Sequence, residues 1–399
     1  MAKKKKTTTR KKSRPVPDVE GPPVDAIDPA IVDFDQIIGQ DQAIDVLRAS
    51  VASGRVHHAW VFVGPPGVGK RTTAEAFAAL LLDPTASPGL DGVWRAAPES
   101  PTQGMVARRT HPDLHIITKE LASYSDDPAV RARKQLTIPK EVLRDHLLEP
   151  IARAATIRTE ARAQKVFIID EAERMDRSIS NAPTQNSLLK TLEEPPDGSV
   201  IILIANREQA LLPTIRSRCQ RVTFRRLMPK EMSTWFVRAD LEVSAKERAW
   251  IEQYASGSPG LAQLAARTGL ASWADRLEPL IDRALLGGRS GAYQPDLGPA
   301  MAELVNDWAD AQVKANARAS KEALTQAGVG LLVEVIGEHL RSGVRAQAEC
   351  GQVAEPLLIA IDHLAQAERY VAANVGLPMV AELMAGDLAA VGAGRSSGE

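Results

Sequence analysis

Seven consecutive residues, Gly64-Pro65-Pro66-Gly67-Val68-Gly69-Lys70, could hold a phosphate. Glycines let a backbone curl until successive N–H groups point into one cavity, and a helix starting beyond the turn adds its positive end. The Lys70 amine would reach the outer phosphates of a nucleotide. The candidate nucleotide-binding residues are therefore Gly64, Pro65, Pro66, Gly67, Val68, Gly69, Lys70, Arg71 and Thr72. The pattern asks for Ser or Thr after the lysine, because a hydroxyl there holds magnesium. This chain has Arg71. At about 5 Å and an effective dielectric near 20, an arginine beside a divalent cation costs roughly 6–7 kcal/mol before relaxation. Thr72 lies about 100° further round the helix and is a poor substitute. The expectation is weak binding of ATP and magnesium, with slow or no hydrolysis.

Three further stretches carry candidate chemistry. In KVFIIDEAERM, apolar residues lead into Asp170 and Glu171. An acid at the end of a buried strand can hold magnesium, and the next can polarise an attacking water. Acids also favour a helix start, so alone the pair has two readings. Asn206 closes VIILIAN; it could orient a water near the γ-phosphate, or simply close a turn. In LLPTIRSRCQ, Arg216 and Arg218 could project towards a neighbouring subunit's site, or join Arg221, Arg225 and Arg226 in a solvated basic patch. His57 and His58 read as packing or turn residues.

These groups need a scaffold that brings them together. AWVFVG, LHIIT, KVFIID and SVIILIAN read as four apolar strands, each alternating with a helical pattern such as RTTAEAFAALLL, KEVLRDHLLEPIARAA or QNSLLKTLEE. Continuous apolar strands with intervening helices predict a parallel α/β sheet covered on both faces. An amphipathic helix precedes them, with Ala43, Val46, Leu47 and Val51 on its apolar stripe. Residues 1–33 read as a disordered basic tail and linker, and 34–225 as the α/β domain, with 84–110 an inserted loop rich in Pro, Gly, Ser and Thr. Residues 226–267 and 268–390 read as two helical regions, followed by a flexible tail at 391–399.

Charged residues make up 25% and hydrophobic residues 44% of the 399, ordinary for a soluble globular chain. No apolar run approaches a membrane span, and no apolar segment follows the basic N-terminus as in a secretory signal. With only Cys219 and Cys350, neither a disulfide framework nor a four-cysteine zinc site can form. These features point to the cytoplasm. The first 14 residues carry eight basic side chains; setting them apart from the net −1 leaves −9 on the remainder. An acidic body argues against a broad DNA-binding face, and against a nucleic-acid-binding ATPase recruited through its tail. No carboxylate set for nucleotide transfer is recognisable.

Together, IIGQDQA, GRVHHAWVFVGPPGVGK, THPDLHII, AQKVFIIDEAERM, NSLLKTLEEPP and LPTIRSRCQ resemble the bacterial DNA polymerase III clamp-loader subunits of the AAA+ class. The resemblance covers roughly residues 34–265 and returns faintly in AQAERYVAANVGLPMVAELMAGDLA. It implies a RecA-like sheet domain, a small helical lid at 226–267 and an all-helical collar at 268–390. His111-Pro112-Asp113 and Gly257–Gly260 look more like the δ′ subunit than the γ/τ motors, as do Arg71 and the Gly260-Leu261 that stand where γ/τ expects an arginine. The implied role is a stator within the polymerase holoenzyme, a degenerate ATPase. The alternative is an active γ/τ-type ATPase. Arg218 is implied as an arginine finger acting in trans, and Asn206 as sensor-like. The implied partners are γ/τ and δ subunits, the sliding clamp and primer–template DNA. Many relatives carry a zinc module in the insertion; 84–110 has no cysteine, so no zinc is expected there.

Overall fold

Five parallel strands form one sheet in the order β4-β5-β6-β1-β7, where β1 is Ala59–Val63, β4 Leu114–Ile117, β5 Lys165–Ile169, β6 Ser199–Ala205 and β7 Gln220–Thr223. The computed structural model describes residues 33–97, 99–131, 137–176, 182–286, 295–315, 321–372 and 375–392. The basic tail up to residue 32 and the last seven residues lie outside that set. Strands β1, β5 and β6 are buried along their whole length. Alternate residues serve opposite faces, as the two-residue period of a strand requires. Trp60, Phe62, Val166, Ile168, Ile202 and Ile204 pack with Phe77 and Leu81 on one side. Val61, Phe167, Ile169, Ile201 and Leu203 pack with Leu143, Leu147 and Leu188 on the other. This is the expected α/β class, with helices on both faces.

The fifth strand, β7, escaped sequence reading. Only Val222 in it is buried, and its neighbours are exposed polar residues. An edge strand with one inward side chain leaves almost no apolar signal. Its pairing with β1 makes β1 an interior strand, so the loop after Val63 opens at the carboxyl edge beside the ends of β5 and β6.

Local expectations were met with corrections. In the first helix, Asp41–Ala52, the buried stripe is Ala43, Ile44, Leu47 and Val51; Val46 is exposed. The insertion is more than a loop. It holds a two-stranded hairpin, β2 Ser87–Pro88 with β3 Trp94–Arg95, and the helix Pro101–Ala107. Arg95 bridges Asp91 and Asp35, the Arg162 guanidinium lies 3.8 Å from the Trp94 ring, and Gln103 donates to Asp83. Tertiary contacts therefore order a stretch whose composition reads as turns.

After Thr223 the described residues contain no strand. One apolar core runs through Met232, Phe236, Ile251 and Ala262 into Leu277, Met301, Leu332 and Met384. Buried Glu338, on the helix Lys321–Glu349, accepts from Gln253 and pairs with Arg341 and Arg345. The first three C-terminal helices and those beyond them are thus packed as one mass.

His111-Pro112-Asp113 serves the turn before β4. The Asp113 carboxylate, 2% exposed, accepts from the backbone N–H groups of Thr156 and Ile157, each at 2.8 Å. Asp113→Ala removes the acceptor of two part-buried backbone donors, and the expected loss is about 2 kcal/mol of stability, read as a lower urea midpoint, with Asp113→Asn losing less.

Candidate functional site

Gly64, Gly67 and Gly69 all take positive φ, at 155°, 72° and 97°. A β-carbon on Gly64 would lie 2.5 Å from the Phe224 carbonyl oxygen, so the first glycine is required by close approach as well. The helix Lys70–Leu82 begins at the lysine, with Gly69 as its left-handed N-cap. Val68 is buried, and its carbonyl accepts from the Gln40 side chain, which also exchanges hydrogen bonds with the Arg225 backbone. Gln40 was missed as a site residue; its only signal was its place within IIGQDQA. It ties the loop to the segment after β7.

Lys70 is almost fully buried. Its Nζ donates to the carbonyls of Gly64 (2.8 Å) and Pro65 (2.5 Å) and to Asn206 Oδ1 (2.8 Å). Burial lowers the amine to about 8, against the opposing pull of Glu173 and Asp170. Asn206 in turn donates from its backbone and side-chain nitrogens to Glu173 Oε1, at 3.1 and 3.0 Å. The other carboxylate oxygen of Glu173 is buried with no hydrogen-bond partner among the described residues. Glu173, two residues beyond the expected acidic pair, had no sequence signal of its own. The chain Glu173–Asn206–Lys70 joins the end of β6 to the loop.

Arg71 stands where the hydroxyl was expected. Its Nη1 donates to Asp170 Oδ2 at 3.1 Å and its Nε to Glu75 Oε1 at 2.9 Å. Burial alone would lower its pKa; the two carboxylates more than offset this and raise it. Asp170 moves the other way: burial raises it more than Arg71 lowers it. Glu171 takes a left-handed conformation, φ 48° and ψ 49°. Its carboxylate is held by Lys119 at 2.6 Å and Arg174 at 2.8 Å. Burial opposes its ionised form, yet these two cations leave its pKa lowered. A charge held from two sides is poorly placed to polarise water. Thr73 bonds back to Gly69, and Thr72 is exposed. The residues present do not fit a magnesium ion between the first helical turn and Asp170, because a guanidinium already pairs with that carboxylate.

The helix Pro259–Thr268 seats directly on the loop. Ser258 Oγ donates to the Pro66 carbonyl at 2.9 Å and the Gly260 N–H to the Gly67 carbonyl at 2.8 Å. A β-carbon on Gly260 would come 2.8 Å from Gly67 Cα, so this contact admits only glycine there. Leu261 turns into the helical core.

Arg218 lies away from the loop, partly exposed just before β7. It pairs with Glu193 at 2.5 Å and donates to the Thr214 carbonyl at 2.9 Å. Beside it, the Arg216 Nε is buried with no hydrogen-bond partner among the described residues, and burial pushes the Cys219 thiol up to about 12. The neighbouring arginines do not form a free basic patch: Arg221 pairs with Glu208, Arg225 with Glu231, and Arg226 donates to the Ser256 carbonyl. His57 and His58 bond to the carbonyls of Ala59 and Leu192 and stack on each other.

A glycine loop after β1, an acidic pair after β5, a polar residue after the intervening β6, and a helix seated on the loop thus meet at the carboxyl edge of one parallel α/β sheet. A family model described as DNA polymerase III, delta subunit, matches residues 39–228. The gamma/tau subunit of DNA polymerase III from Mycobacterium bovis is 30% identical over 210 residues, 51% of this chain and 31% of that protein. The delta′ subunit from Pseudomonas aeruginosa is 31% identical over 207 residues, 52% of this chain and 55% of that protein. The chain thus spans about a third to about half the length of these relatives. The chain is thus similar to subunits of DNA polymerase III, with both kinds of relative matching at the same level. A solved gamma subunit-related protein of DNA polymerase III from Thermotoga maritima aligns over 89% of this chain and 99% of its own, at 16% identity and a TM-score of 0.42. Among the described residues no helix is long and apolar enough to cross a membrane.

The buried amine has a thermodynamic consequence. Folded Lys70 loses its proton near pH 8, whereas in the unfolded chain it keeps the proton to near 10.5. Between those values the unfolded state binds more protons, so stability rises with pH. Denaturant titrations should show a rise of up to about 3 kcal/mol from pH 8 to 10.5 in the wild type that is absent in Lys70→Met.

Proposed function

We propose that this chain is a δ′-like subunit of a DNA polymerase III clamp loader, a stator that does not hydrolyse ATP at a motor's rate. The observation that carries this reading is the Arg71–Asp170 ion pair at the place of the magnesium ligand. Glu171, held by Lys119 and Arg174, supports it. In this reading 34–225 is the nucleotide-binding-like domain, 226–267 the lid and 268–390 the collar. The partners are γ/τ and δ subunits, the sliding clamp and primer–template DNA, in the cytoplasm. Arg218 acts in trans: released from Glu193, its guanidinium stabilises charge on the phosphoryl group in a neighbouring subunit's site.

A second reading, an active γ/τ-type ATPase, draws support from the complete Gly64–Lys70 loop, the Asp170-Glu171 pair and the gamma/tau relative. Two measurements separate them. In a complex reconstituted with the other subunits, clamp and primed DNA, Arg218→Ala should cost about 10³-fold at the one site it faces, with no rescue by Arg218→Lys. Hydrolysis by the isolated chain at about 1 s⁻¹ or faster, abolished by Lys70→Ala, would establish the second reading instead.

A further inference from the structure

The guanidinium of Arg71 is held on one side and free on the other. Nη1 is bonded to Asp170 and Nε to Glu75, while Nη2 has no hydrogen-bond partner among the described residues. The side chain keeps 36% of its surface exposed, at the first turn of the helix that follows the glycine loop. Two carboxylates thus fix the plane of the fork and leave one edge with unused donors. Next to it, Lys70 Nζ donates, among the described residues, only to two loop carbonyls and Asn206 Oδ1, all neutral acceptors. An anionic oxygen is a stronger acceptor than any of these. Glu75 also has Arg109 at 3.7 Å, and Glu171 has Lys119 and Arg174; Glu173 and Asp170 act on Lys70 through space, without a hydrogen bond to its Nζ.

We propose that the Gly64–Arg71 turn is a metal-independent polyphosphate site, in which the Arg71 guanidinium takes the place of the divalent cation. The ligand class is a nucleoside di- or triphosphate bound as the free anion. Arg71 Nη2 meets a terminal phosphate oxygen while Asp170 and Glu75 hold the fork in place. Lys70 turns from the carbonyls onto the same phosphate group. Magnesium then competes: it shields the phosphate charge that Arg71 reads, and its own charge is repelled by the guanidinium beside Asp170. The proposal rests on the reading of this site as one that does not hydrolyse, and adds what it binds and in which ionic form.

Calorimetric titration of the full chain with ADP and with ATP tests this, once in EDTA and once in excess Mg²⁺. The expected result is binding in EDTA that is equal to or tighter than binding in Mg²⁺. Arg71→Ser should reverse the order, with Mg²⁺ tightening binding about tenfold. Thermal unfolding of the variant alongside checks that it folds, and the wild-type comparison stands without it. Tightening of wild-type binding by tenfold or more in Mg²⁺ would overturn the proposal. So would the absence of binding in both buffers; that outcome leaves the stator reading intact, since the trans role of Arg218 is measured on another subunit's site. Rapid hydrolysis by the isolated chain would sink the stator reading whichever way the two buffers compare.

Discussion

The ion pair between Arg71 and Asp170 sets the character of the site. It joins the first turn after the glycine loop to the end of β5, across the carboxyl edge of the sheet. Two charges of opposite sign so placed satisfy each other, and removing Arg71 would leave the Asp170 carboxylate, 21% exposed, without its cation, whereas Arg71 would keep Glu75. The pair also dictates what else the site can hold. A divalent cation at Asp170 has to displace a guanidinium that Glu75 holds from behind. Lys119 and Arg174 do the same to Glu171. The acids that could serve hydrolysis are present in the sequence but committed in the fold.

The lid adds a second constraint, of shape rather than charge. Gly67 and Gly260 meet backbone to backbone, and Ser258 reaches the adjacent Pro66 carbonyl. Because the lid shares its apolar core with the helices up to Val391, the loop is tied to that whole helical mass. Opening it by rotating the lid alone would break a continuous core, which resists deformation because it is close-packed. A part whose nucleotide loop is fastened to its C-terminal helices is suited to hold still while neighbours move, which accords with the proposed stator role.

Much of this was legible in residue order. The four central strands were readable because they are continuous apolar runs, and the loop because glycine and lysine recur at a spacing that phosphate geometry demands. Strand β7 was not, since only Val222 of it is buried. The insertion at 84–110 was misjudged for a different reason. Its prolines and glycines signal turns, while its hairpin and helix are held by Arg95, Arg162 and Gln103 reaching partners distant in sequence. One of two readings of the Arg216–Arg226 segment was a solvated basic patch, yet Arg221, Arg225 and Arg226 each have a specific partner that spacing does not disclose.

By itself the sequence determined the class of the fold, the glycine-rich turn before the first core helix and the arginine in place of a hydroxyl after Lys70, because each follows from residue type at short range. The tertiary structure alone decided what Arg71 does in place of that hydroxyl. Whether Arg71 swings into solvent or pairs with Asp170 depends on two residues 99 positions apart meeting at one sheet edge. The same holds for Glu173 beneath Asn206, Gln40 beside Val68 and Gly260 on Gly67. Such contacts are set by packing across the fold, where the partner of a charge or a carbonyl is chosen by distance in space and not by distance along the chain.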